Sequence, residues 1–188
     1  MASLALGQHF GVAKGAKLVV VKLTLDMTDI LQAFEQIYRD IVIKRPDRIL
    51  KSVIVMSIAV VDRAVDEEEQ KDHEEMFREA LTPLLKKGIP IILSSNNDRK
   101  IQPDIDSLPA VMYSPRVPVI NVGAVDFRGN RADFSQGGPL LAVHAQGEDI
   151  QVPSKSGLIK TASGTSFGKY VMVHMWFAQP LQMQWKSS

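Results

Sequence analysis

Four apolar runs rich in β-branched residues alternate along the chain with amphipathic stretches, and this alternation restricts the fold more than any other feature. "KLVVVKLTL" (17–25), "KSVIVMSIAV" (51–60), "IPIILSS" (89–95) and "VPVINVGAVD" (117–126) predict strands covered on both faces. Between the first two, Ile30, Leu31, Phe34, Ile37, Tyr38, Ile41 and Val42 recur at helical spacing. They predict an amphipathic helix capped by Asp26 or Thr28 and stopped at Pro46. Between the second and third, the acidic run "DEEEQKDHEE" (66–75) leads into a second stripe: Met76, Phe77, Ala80, Leu81, Leu84 and Leu85. Pro83 is expected to kink or split that helix, and Gly88 to end it. Strand–helix alternation of this length predicts an α/β fold, a parallel sheet flanked by helices with right-handed crossovers. Working residues of such sheets collect at the carboxyl ends of the strands.

After the fourth run the texture changes. "FRGNRADFSQGGP" is turn-rich, and short apolar pieces follow at 139–145 and 149–153. No linker, internal repeat or low-complexity segment interrupts the chain, so residues 1–188 are expected to form a single domain. Lys plus Arg exceed Asp plus Glu by one, 22 against 21, and no global charge favours nucleic acid. No apolar run approaches the roughly 18 residues of a membrane span. The absence of cysteine excludes disulfides, thiolate metal sites and a cysteine nucleophile. The opening "MASLALGQHF" lacks a basic n-region and does not read as a signal peptide.

Two places carry polar residues that a strand does not require. "ILSSNNDRK" sets Ser94, Ser95, Asn96 and Asn97 past the third strand, where an asparagine serves either as a turn former or as an amide donor facing a crevice. "GTSFG" sets Ser166 at the start of a helix, where free backbone N–H groups favour a developing anion and where a capping serine is equally at home. The same five residues fit the G-x-S-x-G nucleophile elbow, but elbow enzymes place an acid and then a histidine after the serine. After Ser166 there is no Asp or Glu, and the one histidine is His174, so the elbow reading fails. Among the others, His73 falls in a charged helix face, His144 in an apolar piece, and His9 beside Phe10 and Gly11. No pair has zinc-ligand spacing on a shared helix, and neither metal nor cofactor is expected.

Taken together, "FGVAKGAKLVVVKL", "KSVIVMSIA", "GIPIILSSNND", "LPAVMYSPRVPVINVGAVDFRGNRADFSQGGPLLAVHAQGEDI" and "SGTSF" resemble, in order, consecutive segments of the subtilisin-like serine proteases, especially fungal proteinase-K-like members. The resemblance covers roughly residues 1–167 and implies a subtilisin-like three-layer fold, incomplete at both ends. It also implies a peptidase acting on extended peptide or protein substrates, and secretion. Carried over by position, Ser166 stands for the nucleophile and Asn97 for the oxyanion donor, with the Ser166 N–H as second donor. Ser57, Ile58 and Ala59 stand for the edge that pairs with substrate by β-augmentation.

The departures bear on activity. The family order is Asp, then His, then Ser, and the chain contains neither the aspartate motif nor His-Gly-Thr. "MASLALGQHFGVAKG" resembles the remainder of the histidine helix, which places the histidine's position just before Met1. Asn96 stands where the family usually has Gly, Gln146 where it has Pro, and the Ala-x-Pro that follows the nucleophile is replaced by Gly168-Lys169-Tyr170. Three readings follow: a serine endopeptidase domain with little activity as this chain, a non-catalytic peptide-binding module, and an incomplete product lacking two core elements, including the helix after Ser166. The last would expose apolar surface and a sheet edge.

Overall fold

The computed structural model describes residues 2–24, 26–60, 65–154 and 156–178; the side chains of Ala2 and of 172–178 lie outside the description. Strands β1 (Ile54–Met56), β2 (Ile91–Ser94), β3 (Ile120–Val125) and β4 (Val143–Gln146) form a parallel sheet in that order. Strands β5 (Ile150–Pro153) and β6 (Ile159–Ala162) make a separate antiparallel pair. The helices are α1 (Ala2–Leu6), α2 (Met27–Tyr38), α3 (Glu67–Lys86) and α4 (Thr165–Ala178).

Successive strand residues point to opposite faces, and the core divides accordingly. Ile91 and Leu93 join Ile54 and Met56 in one cluster with Ile30 and Phe34 of α2 and Phe77, Leu81 and Leu84 of α3. Ile92, with Val122 and Ala145, belongs to a second cluster on which Tyr170 of α4 packs. The result is three layers, with helices on both faces of one parallel sheet. On the first face Phe34 and Phe77 meet edge to face, with centroids 6.4 Å apart. On the second, Gly168 brings α4 close: a Cβ there would stand 3.0 Å from the carbonyl oxygen of Gly123 and 3.1 Å from that of Ala145.

The Asp26 and Gly88 signals act locally as expected. Asp26 caps α2, its Oδ1 accepting from the N–H groups of Thr28 and Asp29 at 2.8 and 3.4 Å. Asp66 caps α3 in the same way, and three glutamates in the first turn complement the helix dipole. Gly88 follows α3 with φ +75°, the left-handed conformation that glycine adopts without steric cost. Pro83 does not split the helix, which runs unbroken from Glu67 to Lys86 with Pro83 on its exposed side. Beyond Tyr38 the α2 pattern continues as a π-type turn, Arg39–Lys44, before Pro46 opens a 3₁₀ turn.

Two expectations are corrected. Residues 17–24 form no strand, and Leu18, Val19 and Val20 are 44, 58 and 72% exposed. The physical reason is that nothing covers the run: among the described residues it does not pair with the open edge of β1, and its apolar side chains face solvent instead of a second layer. Residue 25 of that run lies outside the described residues. The second correction concerns the end of the domain, where a helix does follow Ser166: α4 has 14 residues and packs over β2, β3 and β4.

Burial and exposure here separate two sequence runs that look alike. Phe77→Ala empties a position with 0% exposure and should cost about 3–5 kcal/mol. Val20→Ser, by contrast, should change stability by no more than about 0.5 kcal/mol. Urea denaturation of both variants checks the pair.

Candidate active site

The carboxyl end of β2 is pinned before it turns. Ser94 and Ser95 are buried; the Ser95 N–H donates to the Val122 carbonyl at 3.0 Å and its hydroxyl to the Gln136 carbonyl at 2.9 Å. Asn96 then takes φ +73°, a left-handed conformation that glycine adopts most easily and asparagine tolerates. Its side-chain oxygen accepts the Asn97 N–H at 2.7 Å, closing a tight turn that aims Asn97 at α4.

The Asn97 side chain ties two distant segments together. Its Oδ1 accepts from the backbone N–H of Thr165 at 2.9 Å and from the Thr165 hydroxyl at 3.0 Å. Thr165 is the first residue of α4, so one of the helix's unpaired N-terminal donors is satisfied across 68 residues of sequence. With the oxygen occupied, the amide is held with its NH₂ free to donate; Nδ2 lies 3.7 Å from where a Cβ on Gly164 would stand. Among the described residues neither Nδ2 of Asn97 nor the Ser166 N–H donates a hydrogen bond. Ser166 is half-buried in the first turn of α4, and its hydroxyl likewise has no partner among the described residues.

No histidine among the described side chains meets Ser166. His144 on β4 packs against Gly123 with Nε2 buried and unpaired; burial, and secondarily Arg131, lowers its pKa below the usual 6.5. His73 lies half-buried on α3, and His9 in the turn after α1. His174 is on α4, eight residues past Ser166, with its side chain outside the described residues. Among the described residues no group of three or more His, Asp or Glu side chains could hold a metal ion.

Ser57, Ile58 and Ala59 continue β1 past its last ladder residue, Met56. Ser57 is exposed, Ile58 and Ala59 half-buried, and none of their backbone groups is hydrogen-bonded among the described residues. The chain is fixed again at Val60, which exchanges two hydrogen bonds with Leu108 at 3.0 and 2.9 Å. Two surface depressions, of 630 Å³ beside Tyr38 and Pro83 and 450 Å³ between α1, β5 and α4, include none of these residues or Ser166. The constellation lies open at the carboxyl edge of the sheet.

One residue of this neighbourhood was missed by sequence reasoning. Lys169 lies one helical turn beyond Ser166, is fully buried, and directs Nζ to the Ser57 hydroxyl. Burial lowers its pKa from 10.5 to about 7. The available signal was a single cation in the otherwise apolar run "FGKYVMV".

A subtilase-family model matches residues 1–175. The chain belongs to the subtilase family. It is 31% identical over 174 residues to subtilisin-like protease 3 of Pseudogymnoascus destructans, covering 88% of this chain and 38% of that protein. Subtilisin-like protease 2 of Trichophyton verrucosum is likewise 31% identical, over 172 residues that cover 88% of this chain and 36% of the relative. This subtilase chain therefore spans little more than a third of the length of the relatives it matches. Among solved structures, the prenylagaramide maturation protease PagA superposes with TM-score 0.68 at 23% identity, covering 91% of this chain and 58% of that one. A cold-adapted subtilisin-like serine proteinase gives 0.64 at 22% identity, covering 90% and 55%. The subtilisin-like α/β fold expected from the resemblance is thus the fold observed.

The buried lysine makes the stability of this subtilase chain pH-dependent. Unfolded, Lys169 holds its proton up to the ordinary 10.5; folded, it releases it near 7. Between these values the unfolded chain binds more protons, so stability should rise with pH by roughly 1.4 kcal/mol per unit. Below the folded value both states are protonated, and the penalty is constant. Urea denaturation of the wild type and Lys169→Met, at about pH 6, 8 and 9, should show that rise in the wild type and a flatter profile in the variant.

Proposed function

We propose that this chain carries the nucleophile half of a serine endopeptidase site, with Ser166 as the nucleophile and Asn97 Nδ2 and the Ser166 N–H as oxyanion donors. Ser57, Ile58 and Ala59 supply the edge for an extended peptide. The observation that carries the reading is the pair of hydrogen bonds from Thr165 to Asn97 Oδ1, 2.9 and 3.0 Å, which fix the amide beside the serine. Preorganised donors of this kind stabilise the charge that develops on a carbonyl oxygen under attack; removing one costs about 10²–10³ in rate.

Deprotonation is the step that no described side chain supplies to Ser166. A serine hydroxyl is a weak nucleophile without an adjacent base, and neither the His-Gly-Thr motif nor the aspartate motif occurs in the 188 residues. Oxyanion stabilisation and substrate binding alone leave about 10³–10⁴-fold acceleration over water. The chain by itself therefore holds extended peptides more readily than it cleaves them. The unpaired backbone groups of Ser57–Ala59 favour the holding.

Two measurements test the reading. With a chromogenic peptide, the 188-residue chain should show turnover within about 10⁴-fold of the uncatalysed rate. Rapid cleavage abolished by Ser166→Ala would overturn the inactivity. In binding assays with a non-cleavable extended peptide, Ala59→Pro removes one backbone donor and should weaken affinity about tenfold. Unchanged affinity would remove the 57–59 edge from the site.

A further inference from the structure

We propose that Ser57 and Lys169 form a second nucleophile–base pair, a serine–lysine dyad that accepts acyl groups from carboxylic esters at Ser57. It goes beyond the reading for Ser166, since it uses a different hydroxyl and a base contained in the chain. The geometry is specific. Ser57 is exposed at the carboxyl end of β1, where an ester carbonyl can reach it, while its partner Lys169 has no exposed surface. Nζ of Lys169 directs its hydrogen bond to Ser57 Oγ across 112 residues of sequence. Lys169 sits one turn into α4, so its side chain spans from the helix to the end of β1.

A buried lysine acts as a base only when neutral, and here burial lowers its pKa from 10.5 to about 7. No charged group contributes to that shift. The titratable neighbour on α4 is Tyr170, whose ring centroid lies 5.9 Å from Nζ and whose own pKa burial raises. On β4, the strand beneath the same helix, Val143 and Ala145 face Tyr170, and His144 between them points to the other face of the sheet.

The step balances within the pair. Neutral Nζ takes the Ser57 proton as Oγ bonds to the ester carbonyl carbon, and the C=O π electrons move onto the carbonyl oxygen. Collapse of this oxyanion re-forms the C=O bond and breaks the bond to the alkoxide leaving group, which takes the proton from the ammonium. The products are O-acyl-Ser57, the free alcohol and a neutral lysine ready to deprotonate a hydrolytic water. Esters suit the pair because an alkoxide or phenoxide departs more readily than an amide nitrogen.

The test is acylation of the full 188-residue chain by p-nitrophenyl acetate, followed as nitrophenolate release and mapped by peptide mass spectrometry. An acetyl group on Ser57 is expected, formed at a rate that rises with pH through a midpoint near the lysine value of about 7. Ser57→Ala should remove the adduct. Lys169→Met should slow its formation about 100-fold or more, the usual contribution of a general base. If the lysine variant fails to fold, the wild-type pH midpoint and the mapped site still decide the question. An acetyl group on another residue, or on none, or a rate with no inflection between about pH 6 and 8, would overturn the dyad. Peptide cleavage through Ser166 would instead overturn the preceding reading and leave the Ser57 adduct to be judged by its own map.

Discussion

The site depends on one contact: the Asn97 amide oxygen accepting two hydrogen bonds from Thr165. Parallel pairing of β2 with β3 brings the carboxyl end of β2 beneath α4, and Gly168 lets that helix come down close to β3 and β4. The left-handed Asn96 then aims Asn97 at the helix start. Each step is ordinary backbone chemistry. Together they leave the amide NH₂ of Asn97 and the Ser166 N–H without acceptors among the described residues, and these are the two donors proposed for an oxyanion.

The same helix carries a feature that works against the stability of the fold. A lysine without exposed surface costs free energy whenever it is charged. A serine hydroxyl is a modest partner for an ammonium, and a carboxylate would offset the burial far better. Among the described residues Lys169 hydrogen-bonds to that serine, and the Tyr170 ring lies beside it with its centroid 5.9 Å from Nζ. The penalty is relieved when the proton leaves, and that same neutral state makes a base available to Ser57. Stability and reactivity at this position thus share one titration.

Most of the fold was legible in the sequence because the physics there is local. The continuous burial of Ile91, Ile92 and Leu93, the Asp26 cap and the Gly88 stop are short-range effects written in neighbouring residues. The run 17–25 misled for a reason that is not local. Its composition is that of a buried strand, but among the described residues it neither pairs with the open edge of β1 nor is covered by another layer. Pro83 misled less: its place on the exposed side of α3 lets the helix run past it. In the site, Ser166 and Asn97 were named from position in a recognised pattern, and the bond that the fold adds runs from Asn97 to Thr165, the residue before Ser166. Lys169 went unnoticed because its partner lies 112 residues away, and no spacing rule on one helix reveals a cross-sheet contact.

The central claim is that Asn97 holds the start of α4 through its oxygen and keeps its nitrogen free. Amide hydrogen exchange at Thr165 measures this directly. Protection is expected in the wild type and in Asn97→Asp, which keeps the acceptor, with exchange about tenfold or more faster in Asn97→Ala, the loss of about one hydrogen bond. Equal exchange rates at Thr165 in the wild type and Asn97→Ala would contradict the account.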